Sequence, residues 1–580
     1  MKVKLAKTAG FCMGVRRAMD LVLGAVRTEK RKIFTHGPLI HNPQVLDILR
    51  KRDVHVTNEA PDTSGHVVVI RAHGIPVESR EKLVGSGQEI IDATCPKVLK
   101  VQALIDNYAQ KGYLPVILGD DDHPEVIGLM SYSHGRGIVV KGIDEIPQFQ
   151  AGQKVLFVAQ TTQDKAVFEN INQYLRSCDL TLKVFNTICD ATHRRQDEVR
   201  NISQEVEAMV IVGGFDSGNT QRLAKISREA GRPTFHVETD MELDYQALAQ
   251  FNTIGVSAGA STPSWMIQRV VRAIENTRGQ GEEAWRGFLY SLVRFLVMSN
   301  LLVALGAGAL GYTGLLLMGM TPRFNDPLIP FFYCYSMHLL NYFLDQSSFE
   351  YNDPDRITFY ERHRFGLIGA GVASMIMALV LVWGLGLGPF ILLAVMSALG
   401  LLYGIQVIPH NILESLGLSR YTKLKDIPGS KTLLISMAWA TVICLVPAMG
   451  RHGHVSQDTF IAFGAIFLLV FIRSAFFDLI DMQGDLIVGQ ETLAIALGED
   501  KTRTLLNYLT GILFLWLVSA AFFSSEWSLC LQLLPCPLFV WGYLRRYDRH
   551  GPRPGVIFEG LVESNFLLAG LIGLIHAGLH

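Results

Sequence analysis

Three cysteines stand in the same kind of place. Cys12 in "KTAGFCMGVRRAMD", Cys95 in "IIDATCPKVLKVQ" and Cys189 in "NTICDATHRRQDEV" each follow an apolar stretch and open a helical pattern, 83 and 94 residues apart. A thiol at a helix start meets the positive end of the helix dipole, which favours the thiolate and suits metal thiolates and phosphate oxygens alike. Taken singly, each could be a small core residue. A nucleophilic thiol would need one cysteine with a paired base and would leave the other two without a role. Structural zinc normally takes four protein ligands, so three thiolates would suit only an open catalytic zinc. A 4Fe–4S cluster accepts three cysteines and leaves one iron open for a substrate. Cys178, in "YLRSCDL", lies outside the repeated context and reads as a bystander.

The elements that must position these thiols alternate in type. Short Val/Ile-rich runs run into polar loops: "VVVIRAHGIP" with His73, "PVILGDDDHPEV" with His123 and Glu125, and "MVIVGGFDSGNT" with Ser217 and Asn219. Runs of this kind separated by amphipathic helical patterns predict parallel α/β construction. The spacing of the cysteines predicts three similar α/β units about a pseudo-threefold axis. Ligands bind beyond the carboxyl ends of parallel strands, so three facing units would bring the thiols and the polar side chains to one point. Asp120, Asp121 and Asp122, ahead of His123, read as a solvated turn.

At 580 residues the chain is too long for one core. Residues 1–275 read as the α/β domain, 276–286 ("NTRGQGEEAWR") as a linker, and 287–580 as long apolar blocks. The formal net charge of −1 and the lack of Lys/Arg runs argue against nucleic-acid binding. "MKVKLAKTAGF" has no apolar core of signal-peptide length, so the first domain is expected to stay in the cytoplasm with its thiols reduced. Cys334, Cys444, Cys530 and Cys536 lie in apolar runs and are assigned to packing.

The first domain resembles the IspH (LytB) family, 4-hydroxy-3-methylbut-2-enyl diphosphate reductase. The motifs "AGFCMGVRRA", "HGPLIHNPQV", "RAHGI", "DATCPKV", "HPEV", "AQTT", "TICDAT", "SGNT" and "SAGASTP" carry the resemblance across residues 1 to about 275. It implies that Cys12, Cys95 and Cys189 ligate a 4Fe–4S cluster whose open iron receives the substrate's allylic oxygen. His41, His73 and His123 match the family's diphosphate- and substrate-facing histidines. Ser217, Asn219 and Ser261 match its diphosphate donors, Thr161 its substrate-side hydroxyl, and Glu125 its proton donor. Gly218 departs from the family, which often has a second serine there. The implied reaction is reductive dehydroxylation of 4-hydroxy-3-methylbut-2-enyl diphosphate to isopentenyl and dimethylallyl diphosphate, the last step of the non-mevalonate pathway. The implied electron donor is a ferredoxin- or flavodoxin-like protein.

Residues 287–580 contain about nine blocks near the length needed to cross ~30 Å of hydrocarbon. They are placed near 287–318, 327–345, 365–384, 388–408, 432–449, 458–477, 504–523, 527–543 and 556–578. Basic residues such as Arg362, Arg364, Lys423, Lys425, Arg545 and Arg546 follow the even-numbered blocks, which places those loops in the cytoplasm of a multi-pass protein of the inner or plasma membrane, in contact with lipid. Two of these loops are also acidic. Asp478, Asp481 and Asp485 fall at spacings of three and four on one helical face beside the membrane.

This all-α half resembles the UbiA family of membrane prenyltransferases. The resemblance implies Mg²⁺ held against a prenyl diphosphate by Asn341, Asp345, Asp478, Asp481 and Asp485. Tyr342 and Phe349 stand where the family usually has acids, while Asp353 and Asp355 follow in the expected place. Weak magnesium affinity is the expectation. The alternative reading is an inactive membrane anchor for the reductase.

Because Cys178 stands outside the repeat, Cys178→Ser should leave the iron content of the anaerobically purified protein unchanged. Iron and sulfide analysis reads this directly, and a loss of iron would add Cys178 to the ligand set.

Overall fold

The structure, a computed structural model, describes residues 2–29, 31–59, 65–276, 284–344, 352–403, 427–451, 453–488, 490, 492–550 and 555–579. Contacts divide the chain into two compact units, Met1–Gly281 and Glu282–His580. Residues 277–283 of the expected linker lie outside the described residues, as do Asp345, Phe349, Lys423 and Lys425.

Twelve short strands build the first unit: β1 (Lys2–Leu5), β2 (Ile33–His36), β3 (Val54–Thr57), β4 (Val67–Ile70), β5 (Glu89–Asp92), β6 (Leu114–Leu118), β7 (Ile138–Val140), β8 (Gln153–Ala159), β9 (Leu180–Val184), β10 (Ala208–Val212), β11 (Thr234–Val237) and β12 (Thr253–Ala258). They form three four-stranded sheets, ordered β3-β2-β4-β5, β7-β6-β8-β9 and β1-β12-β10-β11, and every pairing is parallel. Parallel sheets are covered on both faces, and the wholly buried runs "VVVI" of β4 and "AMVIV" of β10 are what that demands.

The three sheets share one plan. Numbered from the first strand in each, the order is second, first, third, fourth. In the third sheet β10, β11 and β12 supply the first three strands, and β1 arrives from the other end of the chain as the fourth. Val3 pairs with Ile254 and Leu5 with Val256. The repeat anticipated from the cysteine spacing is therefore present at the level of sheets, with one unit closed by the two ends of the domain.

Each sheet has its own apolar core. Phe157 stacks on Phe168 with centroids 4.7 Å apart, beside Val116, Leu118 and Ile171. Burying such a side chain stabilises the fold by roughly 1.5–3 kcal/mol.

In the second unit every described element is a helix. Six are long and apolar enough to cross a membrane: Arg364–Trp383, Ser430–Arg451, Gln457–Met482, Glu499–Ala520, Trp527–Asp548 and Val556–Leu579. The pair Phe288–Met298 and Leu301–Leu317 would make a seventh, but it bends by 73°. The bend falls at Asn300, whose φ of 59° interrupts the helix in the left-handed region. Leu328–Leu344 and Leu387–Leu402, two more of the nine expected blocks, are shorter helices of 17 and 16 residues. About six candidate spans is therefore the count the described residues support.

Lipid gives no hydrophobic drive between helices, so packing rests on small residues. A Cβ on Gly306, Gly311 or Gly314 would meet Phe566, Pro330 or Ile443 at 2.9, 2.6 and 2.7 Å. Arg473 and Glu563 form a buried ion pair, with Nε donating to Oε1 at 2.9 Å. The charge is matched within the bundle, as its cost in an apolar medium requires.

Candidate active site

The shared sheet plan puts chemistry at equivalent corners. After each first strand come His41 (β2), His123 (β6), and Ser217 with Asn219 (β10). After each third strand come His73 (β4), Thr161 (β8) and Ser261 (β12). After each fourth come Cys12 (β1), Cys95 (β5) and Cys189 (β9). The three cysteines cap the helices Met13–Thr28, Pro96–Gln110 and Asp190–Glu205.

One hydrogen bond recurs in all three units. The cysteine N–H donates to the loop after its sheet's third strand: Cys12 to Ala260 O at 3.2 Å, Cys95 to Ala72 O at 2.9 Å, and Cys189 to Thr161 O at 2.8 Å. Each acceptor is, or adjoins, a polar residue named from the sequence: Ser261, His73 or Thr161.

The Cys12 and Cys95 thiols border one space. Tetrahedral zinc with Zn–S near 2.3 Å would hold sulfurs about 3.8 Å apart. Among the described residues, the ligand atoms of His41, His73 and His123 lie within 4.8 Å of one another. Gly14 lines the same space, where a Cβ would sit 2.6 Å from Cys95 Sγ and 3.9 Å from Cys12 Sγ. Burial pushes the Cys95 thiol up, and although the Lys97 and Val98 N–H groups oppose this, Cys12 and Cys189 push it the same way. Cys178 Sγ instead donates to Tyr174 O at 3.4 Å in its own helix turn.

The imidazoles of His41, His73 and His123 pack with ring centroids 4.8, 5.8 and 5.4 Å apart. Burial first, and then mutual repulsion and Arg71, hold His73 well below its usual range. His123 falls to about 4 mainly through burial, against the pull of Asp120 and Asp122, and His41 is also lowered by burial and Arg71, against the pull of Asp216. All three are neutral at pH 7. His123 Nδ1 accepts from the Glu125 N–H at 3.1 Å, which fixes the proton on Nε2. That ring then offers an N–H donor, which suits an anion and not a metal ion. His41 Nε2 and His73 Nδ1 are buried with no hydrogen-bond partner among the described residues.

Further donors stand without partners nearby in sequence. Both polar atoms of Asn219 and the Thr220 hydroxyl are buried and unpaired at the start of the helix Gly218–Glu229. Gly218 faces open space where a Cβ would lie, so the serine common in the family would meet no obstruction. The Ser261 hydroxyl donates to His41 O at 3.0 Å, joining two of the sheets' corners.

Glu125 is 1% exposed. Its Oε1 accepts from Thr161 N at 2.7 Å, and its Oε2 from the Thr161 hydroxyl at 2.9 Å. Burial raises the carboxyl to about 7, and both Thr161 bonds oppose the rise. At neutral pH it is poised between acid and carboxylate. Because the backbone N–H can only donate, the proton of the acid form belongs on Oε2, facing the Thr161 hydroxyl.

Comparison with known proteins decides among the chemistries open to this arrangement. The LytB protein family matches residues 3–275. A 4-hydroxy-3-methylbut-2-enyl diphosphate reductase of Geobacter sulfurreducens is 42% identical over 278 residues, which are 47% of this chain and 97% of that protein. The chain belongs to the 4-hydroxy-3-methylbut-2-enyl diphosphate reductase family. A solved structure of such a reductase, described as the terminal enzyme of the non-mevalonate pathway, is 39% identical with a TM-score of 0.38, covering 47% of this chain and 99% of that one. The UbiA prenyltransferase family matches residues 361–558, so the reductase is fused to a UbiA-type domain. A UbiA homolog from Archaeoglobus fulgidus, solved with GPP and Mg²⁺, is 13% identical with a TM-score of 0.37 and covers 49% of this chain and 99% of that one.

In the UbiA-type domain Asp478, Asp481 and Asp485 lie on the helix Gln457–Val488, with Asp478 and Asp485 buried. Asp478 accepts from Thr432 Oγ1 at 2.5 Å and lies 3.5 Å from Lys431 Nζ. Asn352, beside the first acidic segment, donates to Asp485 Oδ1 at 2.9 Å. The approach needs Gly484, since a Cβ there would overlap the Asn352 amide. Asp353 caps Pro354–Arg362 and pairs with Arg356, which also reaches Glu559 at 2.6 Å. Asn341 is half-buried on Leu328–Leu344, and Tyr342 packs on Tyr360 with centroids 3.8 Å apart.

The motif reading of the reductase missed Arg71, which acts on all three site histidines, and the buried Arg195, which reaches from the helix Asp190–Glu205 to the loop before Cys12. It also missed the network in which Arg222 Nη1 donates to Thr162 O at 2.5 Å and lies 3.6 Å from Asp120 through Nη2. Asp120 N donates to Gln160 Oε1 at 3.0 Å, so this turn is braced and not merely solvated.

The Glu125 carboxyl links pH to stability. Its pKa is raised from 4.5 to about 7, so the stability it contributes is fully present below pH 4.5 and lost as pH rises through about 7. Thr161→Val deletes a bond that favours the carboxylate, so it should move the loss to higher pH. The protonated-carboxyl infrared band, identified by its absence in Glu125→Gln, should persist above the wild-type midpoint.

Proposed function

We propose that the first unit removes the hydroxyl of 4-hydroxy-3-methylbut-2-enyl diphosphate to give isopentenyl and dimethylallyl diphosphate, and that the second is a Mg²⁺-dependent prenyltransferase. The observation that carries the first reading is a buried carboxyl, poised near neutrality, in the same sheet corner as a thiol and beside three neutral imidazoles. Support for a cluster comes from three thiols that follow the fourth strand of each sheet and each cap a helix. When bound, a 4Fe–4S cluster on Cys12, Cys95 and Cys189 supplies electrons singly and one open iron as a Lewis acid for the substrate hydroxyl.

The chain's own residues do the rest. His123 presents its Nε2–H, and His41 and His73 their unpartnered nitrogens, to diphosphate oxygens, with Ser217, Asn219 and Ser261 as neutral donors. Neutral donors bind the diphosphate without adding a fixed charge to a buried site. Glu125 holds the proton on Oε2 and passes it to the Thr161 hydroxyl, whose own proton turns to the leaving oxygen. Proton supply at that atom is needed because hydroxide is a poor leaving group. Electrons enter from a ferredoxin- or flavodoxin-like carrier on the cytoplasmic side.

For the second unit, Asp478, Asp481, Asp485, Asn341 and Asp345 hold Mg²⁺ against a prenyl diphosphate, whose departure leaves an allylic cation. The bond between Asn352 and Asp485, which joins the two acidic segments, supports a built site over a passive anchor.

Glu125→Gln should keep iron content and substrate binding while slowing turnover by roughly 10²–10⁴, the range of a lost general acid. Near-normal single-turnover rates would remove Glu125 from the proton path. Stoichiometric zinc without iron in an active anaerobic preparation would end the cluster reading.

Asp481→Ala should abolish Mg²⁺-dependent binding of a prenyl diphosphate to detergent-solubilised protein while leaving the reductase rate unchanged. The titration must reach high Mg²⁺, because Lys431 and Thr432 already occupy Asp478. Absence of Mg²⁺-dependent binding in the wild type would leave the domain an anchor.

A further inference from the structure

Arg195 is a charge that the reaction so far does not use. It lies on Asp190–Glu205, the helix that Cys189 caps, and is 3% exposed. Two of its three nitrogens are satisfied: Nε donates to Thr8 O at 2.9 Å and Nη2 to Gly10 O at 2.7 Å, both in the loop that leads into Cys12. The third, Nη1, is buried with no partner among the described residues. A guanidinium keeps its charge in proteins, and a buried N–H left without an acceptor is costly. Something must stand opposite it.

The carboxylate that supports its charge, Glu198, is already engaged. Glu198 accepts from Lys7 N at 2.7 Å, Thr8 N at 2.8 Å and the Thr8 hydroxyl at 2.6 Å. Burial works against the Arg195 charge, and the groups that support it are the thiolates of Cys12 and Cys189, ahead of Glu198. The side chain is thus moored on the Cys12 side and rooted on the Cys189 side.

We infer that Arg195 Nη1 donates a hydrogen bond to the iron–sulfur cluster, at a thiolate or inorganic sulfide between Cys12 and Cys189, and that Arg195 thereby raises the cluster's reduction potential. The inference rests on the cluster reading given above. One electron from a low-potential carrier of the ferredoxin or flavodoxin class adds one negative charge to an assembly already made anionic by three thiolates, while the carrier is oxidised by one electron. A fixed cation and a donated hydrogen bond favour the more negative state, which are recognised levers on such potentials. Arg195 is in this sense a positioning residue and touches no substrate.

The test is an EPR-monitored redox titration of the full chain in detergent under anaerobic conditions, with iron content read by Mössbauer spectroscopy. Arg195→Met should retain iron but lower the ratio of reduced to oxidised cluster about tenfold at a fixed potential, a shift of about 59 mV for one electron. Arg195→Lys, which keeps the charge, should recover most of that shift. Glu198→Gln removes the competing carboxylate and should move the potential the other way by a smaller amount. An iron-replete Arg195→Met with the wild-type potential would overturn the inference and leave Arg195 a brace for the Thr8–Gly10 loop. If the methionine variant fails to assemble a cluster, an unshifted Glu198→Gln overturns it instead. A wild-type protein with no four-iron signal would defeat the cluster reading itself, which is a different failure.

Discussion

Each cysteine amide donates to the loop that follows the third strand of its own sheet, at Ala260, Ala72 and Thr161, and the geometry of the site hangs on these three bonds. They tie the carrier of each thiol to the carrier of a hydroxyl or imidazole, so the distance between the thiols and these polar groups is set by backbone and not by side-chain rotamers. The sheet plan makes the bond repeatable. In each unit the fourth strand lies beside the third, and the chain leaving one passes the chain leaving the other. Precision of this kind is what a reaction needs when electron and proton must reach one carbon–oxygen bond together.

Under the proposed function the two halves meet a diphosphate with opposite electrostatics. The reductase gathers neutral imidazoles, amides and hydroxyls, and several of them, His41 Nε2, His73 Nδ1 and the Asn219 amide, are buried without a hydrogen-bond partner among the described residues. The UbiA-type domain gathers carboxylates, which repel a diphosphate unless a cation stands between. Lys431 supplies part of that positive charge from within the chain, 3.5 Å from Asp478. Both sites carry an internal electrostatic cost that their ligands relieve, and both lie at polar ends of otherwise apolar elements.

Much of the reductase site was legible because its residues follow strand ends in fixed motifs. Cys12, Cys95 and Cys189 announce themselves by context, and His73, His123 and Asn219 by the apolar runs before them. What could not be read is what depends on long-range pairing. No local pattern says that β1 pairs with β12, or that Arg195 reaches back to Thr8 and Gly10, because both are contacts across nearly the whole domain. The membrane half misled in a different way. Hydropathy measures length of apolar sequence, but a single left-handed residue, Asn300, breaks one long apolar block into two helices at 73°. Asn352 was unmarked because an amide beside an acidic segment has no distinctive spacing.

The place of β1 in its sheet has a consequence for biogenesis. The strand it pairs with, β12, is made about 250 residues later, which at roughly 5–20 residues per second is about 10–50 s of synthesis. Until β12 emerges, the strand that leads to Cys12 has no neighbour, whereas the sheets that lead to Cys95 and Cys189 are already complete. The ribosome therefore delivers two thiols in finished folds and holds back the third. Completion of the three-cysteine arrangement is deferred to the moment when the first apolar helices of the second half follow behind, so folding of that site and synthesis of the apolar half overlap in time on one nascent chain.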